Sequence, residues 1–149
     1  MSKIRTQSPI IHTPTFKEYQ IEGNLLKFKL QAMDMRVSLG MLDSIYYYTD
    51  LEGWGKILYN LVFNSNLYKT NKFDCENFAM KAMNLCAERY GLNTMGLVVG
   101  DIPLGRHGFN IIYCGQDLFK LWEPNSGFDC NGEAFDLGEN GYFPDLVFI

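Results

Sequence analysis

The stretch from Cys75 to Tyr90 constrains the fold of this chain most strongly, because it carries the signature of one complete helix. Its apolar residues recur at offsets of three and four, which places them on a single helical face: Phe78, Ala79, Ala82, Leu85, Cys86 and Tyr90. Asp74 stands before it as an N-cap, and Gly91 follows it as glycines do after helices. The sequence therefore predicts a helix over 75–90 that begins at a cysteine.

The segments around this helix predict a helical first half and a β-rich second half. Alternation predicts a strand over 26–37, aromatic residues favour a short strand over 44–48, and Asp50 caps a predicted helix that continues to about Val62. Apolar runs predict later strands at 94–100, 107–113, 118–122 and 142–149. The predicted class is α+β, with a helical first half and the cysteine-bearing helix packed on an antiparallel sheet.

Length and charge limit the classes of function. The 149 residues predict a single domain over 1–149, with residues 1–15, which contain Pro9 and Pro14, as a loose N-terminal arm. The formal net charge of −4 does not favour binding to nucleic acid or to an anionic membrane. The sequence has no apolar stretch of transmembrane length and no signal-peptide pattern, so a cytoplasmic location is expected. The oligomeric state is not indicated.

The cysteines are predicted to be free thiols, and no metal or cofactor is expected. There are four: Cys75, Cys86, Cys114 and Cys130. They form no CxxC pair, and no glycine-rich loop has the spacing of a phosphate or dinucleotide site. Cys86 lies on the apolar face of the predicted helix and is assigned to the core.

Cys75, His107 and Glu123 form the candidate site. A thiol at a helix N-terminus is stabilised as a thiolate by the partial positive charge there, although the neighbouring acids Asp74 and Glu76 oppose this. His107 begins an apolar strand and can act as a base. Glu123 ends the next strand of a predicted hairpin and can orient the imidazole. His12 falls in the loose arm and is not assigned a role.

Three motifs resemble the transglutaminase-like (papain-like) cysteine protein superfamily. Phe73-Asp74-Cys75-Glu76-Asn77-Phe78-Ala79 is similar to its nucleophile motif, His107-Gly108-Phe109-Asn110 to its histidine strand, and Leu121-Trp122-Glu123-Pro124 to its third element. Many members have Asp where this chain has Glu123. Small members with Glu-Pro at this place resemble uncharacterised phage and bacterial proteins. The matching motifs extend from about Phe73 to Gly127.

The resemblance implies a papain/transglutaminase-like core and a cysteine-dependent acyl transfer, either amide hydrolysis or transamidation. Cys75 would be the nucleophile, His107 the general base and Glu123 the orienting acid, with a protein or peptide substrate and no cofactor. The oxyanion would bind the Cys75 N–H and a second donor. Gln20, Asn71 and Trp54 are the candidates for that donor.

Other interpretations of the same residues stay open. Cys75 can be a small buried hydrophobic residue, His107 a strand-end histidine and Glu123 a surface acid before a turn, while Asp101 can compete with Glu123 for the imidazole. Asn110 alternates away from His107 and is expected to make a structural hydrogen bond. The alternative function is a catalytically silent module of the same fold that binds protein, such as a phage-encoded inhibitor or a virion-associated protein.

Overall fold

A five-stranded mixed sheet forms the centre of the fold. The computed structural model describes residues 13–149, so His12 and most of the predicted arm (1–15) lie outside the described residues. The strands are β1 (Tyr19–Glu22), β2 (Arg36–Val37), β3 (Ile45–Tyr48), β4 (Met95–Ile102), β5 (Gly105–Tyr113), β6 (Phe119–Trp122) and β7 (Phe143–Phe148). The sheet has the order β2-β7-β4-β5-β6, in which β2 and β7 are parallel and the other neighbours antiparallel. β1 and β3 form a separate antiparallel pair.

Three α-helices accompany the strands in the described part of the chain: α1 (Gly23–Gln31), α2 (Leu51–Ile57) and α3 (Cys75–Tyr90). Short 3-10 turns lie at Leu58–Leu61, Ser65–Leu67 and Glu139–Gly141. The prediction of α3 is confirmed at both ends, and Gly91 adopts the left-handed conformation (φ 67°) that ends it. The cap of α2 is also confirmed, because the Asp50 side chain accepts the Gly53 N–H at 2.9 Å.

The strand predicted over 26–37 was wrong, because the first half of this segment belongs to α1 and only Arg36–Val37 form a strand. Phe28, Leu30 and Ala32 alternate with polar residues, but the structure instead buries Leu26 and Leu30, which are four residues apart. Phe28 is 69% exposed. Leu26 and Leu30 both pack into the core, and this packing favours the helix over the strand that the local alternation predicts.

The predicted helical first half and purely antiparallel sheet also need correction. Residues 13–74 contain three strands, β1 to β3, beside α1 and α2. β2 adds to the edge of the sheet in parallel with β7, through the register Arg36 opposite Leu146. Strands thus occur in both halves of the described chain. The alternation signal failed here because β2 has only two residues, too few for any period to show.

β5 is buried on both of its faces, which explains its nearly continuous apolar sequence. Phe109 and Ile111 belong to a core that includes Leu26 and Leu30 of α1. Ile112 points to a second core, formed with residues of α2 and α3. A strand covered on both faces loses the simple alternation of apolar and polar residues. β5 therefore joins the two cores, and its ends are held in fixed positions.

Asn110 of β5 ties α3 to the sheet, as the sequence predicted. Its side-chain amide donates to the carbonyl oxygens of Ala79 in α3, at 2.9 Å, and of Gly96 in β4, at 3.1 Å. The residue is fully buried. Losing two hydrogen bonds in a dry interior costs free energy, because each buried carbonyl group loses one of its donors.

We expect Asn110→Ala to lower the free energy of unfolding by about 2–3 kcal/mol, since it removes two buried hydrogen bonds. Urea denaturation followed by circular dichroism measures this difference. Asn66→Ala is the matched control, because Asn66 is exposed, and a change within about 0.5 kcal/mol is expected there. Equal stability of the two variants would show that the Asn110 amide does not hold α3.

Candidate functional site

The structure brings Cys75, His107 and Glu123 together. Cys75 is the first residue of α3, His107 lies in β5, and Glu123 follows the last residue of β6. The His107 Nε2–H donates to Glu123 Oε2 at 2.7 Å. The Cys75 thiol lies close enough to the imidazole to raise the pKa of His107. The predicted juxtaposition of these three side chains is therefore present in the fold.

The Glu123 carboxylate is completely buried and receives three donors. His107 Nε2–H and the Tyr142 hydroxyl both donate to Oε2, at 2.7 and 2.8 Å. The backbone N–H of Asn125 donates to Oε1 at 3.0 Å. A buried charge is stable only when it is paired and hydrogen-bonded. These donors come from β5, from the residue before β7 and from the turn after β6, so the carboxylate connects three parts of the chain.

His107 is held in its protonated form. Burial lowers the pKa of the imidazole, but the contact with Cys75, the hydrogen bond to Glu123 and the charge of Glu123 outweigh it and raise the pKa from 6.5 to about 9. The side chain is only 6% exposed. At neutral pH, His107 and Glu123 thus form a buried ion pair.

Cys75 is half-buried, and its thiol has an acidic partner. Sγ donates to Glu76 Oε2 at 3.3 Å. The backbone N–H of Glu76 and a hydrogen bond with Asp74 lower the pKa of the Glu76 carboxyl, so it is charged at neutral pH. The neighbouring acid therefore points toward the thiol rather than away from it.

Gly108 allows the start of α3 to approach the sheet. A Cβ at position 108 would lie 3.2 Å from both the N and the Cα of Glu76, which is tighter than ordinary van der Waals contact. The absence of a side chain at this position thus sets how closely Cys75 can come to His107. A glycine in the interior of a strand often marks such an approach of two backbones.

The proposed oxyanion donors lie in different parts of the fold. Trp54 is buried in α2, and its indole N–H already donates to the Tyr113 carbonyl oxygen at 2.9 Å. Gln20 is exposed in β1. Asn71 lies in the turn before α3 with a positive φ of 59°. Trp54 is thus committed to a structural hydrogen bond and does not have a free N–H to offer.

Two hollows flank His107. The first, which we call the apolar cavity, has a volume of about 570 Å³ and is lined by Cys75, Glu76, Met80, Met83, Leu97, Val99, Arg106, His107, Gly108 and Phe148. The second, which we call the loop cleft, consists of two adjoining parts of about 340 and 260 Å³. It lies between the β4–β5 turn and the long segment before β7, and is lined by Ile102, Pro103, Leu104, Phe128, Asp129, Cys130, Asn131, Glu133, Ala134, Phe135, Glu139, Asn140 and Tyr142.

The loop cleft combines apolar surface with polar groups that are not otherwise engaged. Leu104 is 84% exposed and stands at the apolar end beside Phe128. The side chains of Asp129, Glu133 and Asn140 make no hydrogen bond to another residue within 13–149 and face solvent. This arrangement offers two carboxylates and an amide next to apolar contact surface.

His107 forms the structural link between the two hollows. Its ring lines the apolar cavity and packs against the Phe128 ring of the loop cleft, with the centroids 4.6 Å apart. The Tyr142 ring, which also lines the cleft, meets the imidazole edge-on at 6.0 Å. The buried ion pair therefore supports the aromatic wall of the cleft from behind.

Sequence reasoning missed Tyr142 and the residues of the loop cleft. Tyr142 was expected only as the start of the last strand, and nothing in a single tyrosine indicates a bond to a glutamate 19 positions away. The glycine- and asparagine-rich composition of 123–141 predicted a loop but gave no sign that the loop encloses a hollow. A loop with several uncommitted polar residues is the signal that could have suggested a binding site.

The described part of the chain contains neither a metal site nor a membrane-spanning helix. Within 13–149, no group of three or more His, Cys, Asp or Glu side chains is placed to hold a metal ion. No helix among the same residues has the length and apolarity needed to span a bilayer. The cysteines at 75, 86, 114 and 130 are free thiols, and Cys86 is buried as expected.

Comparison with known proteins finds similarity in structure alone. No protein-family model matches the chain, and no curated protein matches it significantly. Among solved structures, a PSL1a–E64 complex has a TM-score of 0.58 and 20% identity over 87% of this chain and 51% of that one. Polyporus squamosus lectin, bound to the human-type influenza-binding epitope Neu5Acα2-6Galβ1-4GlcNAc, has a TM-score of 0.59 and 19% identity over 87% and 49%. The chain spans about half the length of each.

These comparisons correct the resemblance drawn from the three motifs. No family model supports a transglutaminase-like assignment, and one of the two solved structures that share this fold is described as a lectin. On these comparisons, the predicted papain/transglutaminase-like α+β core and the cysteine-dependent acyl transfer by Cys75, His107 and Glu123 were wrong. The alternative, a protein-binding module of that fold, is not supported either. A protein or peptide substrate likewise lacks support, and neither description mentions a nucleic acid or a membrane.

We expect an NMR titration to give His107 a pKa of about 9, because its contacts with Cys75 and Glu123 outweigh burial. In Glu123→Gln the pKa should fall, because the charge of Glu123 is lost while burial, which lowers the pKa, remains. His12, the other histidine of the sequence, is the internal reference.

The same shift sets a pH dependence of stability. A histidine with a raised pKa in the folded state stabilises that state fully below about pH 6.5, and this contribution disappears as the pH rises through about 9. An unaltered His107 titration in Glu123→Gln would refute the buried ion pair.

Proposed function

We propose that this chain binds carbohydrate and that the loop cleft is the binding site. The observation that carries the proposal is the cleft itself, which places Asp129 and Asn140 beside the apolar surface of Phe128 and Leu104, with Glu133 in the adjoining part. The likeness in fold to a lectin bound to a trisaccharide supports the choice of ligand class. Because this chain spans about half of that lectin, the ligand of the whole lectin is used here only as a first probe.

The chemistry of a sugar suits these groups. A pyranose carries hydroxyl groups that donate and accept hydrogen bonds around a ring with an apolar C–H face. Carboxylates such as Asp129 and Glu133 accept from hydroxyl groups, and the Asn140 amide does both. The apolar end of the cleft offers a surface for the C–H face. Side chains that bond to no other described residue need not break existing bonds to bind a ligand.

We propose supporting roles for the predicted site residues. The His107–Glu123 pair holds Phe128 by ring contact and Tyr142 by a hydrogen bond, and both of these line the cleft. In this proposal, His107 and Glu123 position the wall of the sugar site. Cys75 lines the apolar cavity and not the loop cleft.

Two expectations from the sequence stay predictions. One is the single domain over 1–149, and the other is the cytoplasmic location. Neither changes which residues form the loop cleft.

We expect Asp129→Ala and Glu133→Ala each to weaken carbohydrate binding about tenfold or more, because each removes a charged acceptor of hydroxyl hydrogen bonds. Isothermal titration calorimetry with Neu5Acα2-6Galβ1-4GlcNAc is the first measurement, and an array of neutral and acidic glycans extends it.

Glu88→Ala is the matched control, because Glu88 is an exposed acid on α3 away from the cleft, and its affinity should equal that of the wild type. The proposal fails if no glycan on the array binds. It also fails if a glycan binds the two cleft variants as tightly as the control.

A further inference from the structure

We propose that the apolar cavity beside Cys75 binds an uncharged apolar group of a small molecule, such as an alkyl chain or an unsubstituted aromatic ring. The cavity lies between α3 and the strands β4, β5 and β7, and its lining shares no residue with that of the loop cleft. This inference does not depend on carbohydrate binding, since it uses a different hollow and different side chains.

The size and lining of the cavity fit such a ligand. Its volume of about 570 Å³ falls in the range of about 300–1,000 Å³ typical of small-molecule sites. Nearly all of its surface is apolar, contributed by Met80, Met83, Leu97, Val99 and Phe148. Methionine side chains are flexible and polarisable, so they adapt to ligands of different shape.

Arg106, at the rim, does not offer a free positive charge. Its guanidinium donates to both carboxylate oxygens of Asp145, one of them at 2.9 Å, and to Asp101 at 3.2 Å. Two acids therefore already face this one cation. An anionic ligand would have to compete with both of them for the same donors.

The inner polar groups are paired as well. The His107 imidazolium is bound to Glu123, which is completely buried. The Cys75 thiol donates to Glu76. An anionic ligand entering the cavity would lose its hydration without gaining a counter-ion and would meet the charged Glu76 carboxylate, which is costly. The absence of an available cation, together with a lining that is nearly all apolar, is the reason that we assign an uncharged occupant.

The direct test uses the neutral fluorescent probe N-phenyl-1-naphthylamine with the wild-type chain. We expect fluorescence enhancement that 1-octanol reverses, while octanoate at the same concentration is at least tenfold less effective. The alkylation rate of Cys75 reports where the probe binds. An occupant of the cavity should slow the reaction of Cys75 with iodoacetamide several-fold, as measured by peptide mass spectrometry.

Met83→Gln keeps the shape of the lining but makes it polar, and it should weaken probe binding about tenfold. Val99→Thr is a second, nearly isosteric variant for the case that Met83→Gln folds poorly. Met41→Gln is the matched control, since Met41 is also partly buried but lines a different hollow. The control should bind the probe like the wild type.

Several results would overturn the inference. Absence of probe binding to the wild type would do so, as would equal competition by octanoate. Probe binding that neither protects Cys75 nor responds to Met83→Gln and Val99→Thr would place the site elsewhere. If sedimentation shows a dimer that these variants dissociate, and the wild type does not bind the probe, the cavity is covered by a second copy of the chain.

Discussion

The buried carboxylate of Glu123 is the constraint on which the arrangement of the site depends. A charge with no exposure to solvent must be compensated inside the protein, and here the compensation comes from His107, Tyr142 and the N–H of Asn125. These donors belong to β5, to the chain before β7 and to the turn after β6. Loss of any one of them leaves a buried charge short of a partner. The position of the long segment 123–142 is therefore determined by electrostatics as much as by apolar packing.

Elements with strong local signals were predictable from the sequence. α3 has a cap, a periodic apolar face and a terminal glycine, and all of these agree, so its bounds were predicted correctly. Asn110 was predicted to make a structural hydrogen bond because of its place in the alternation of β5, and it does. α1 was not predictable in this way. Its alternating sequence fits a strand, and only burial of Leu26 and Leu30 against distant strands selects the helix.

The candidate site was predictable only in part. Cys75, His107 and Glu123 could be placed together because a capped helix and a hairpin both give their positions locally. Tyr142 could not, since its bond to Glu123 depends on the course of the chain over 19 residues. The function inferred from the motifs did not survive comparison of whole folds, since one of the matching structures is described as a lectin. Short motifs describe local geometry, and the same geometry occurs in proteins of different function.

The place of His107 between two hollows has a thermodynamic consequence. The imidazole lines the apolar cavity, and it also contacts the Phe128 ring of the loop cleft. A ligand that binds in either hollow and shifts the imidazole also changes the free energy of ligand binding in the other hollow. Such a coupling free energy is reciprocal, so each ligand would alter the affinity for the other by the same factor. The His107–Glu123 ion pair thus contacts both hollows, and it links ligand binding in one to ligand binding in the other.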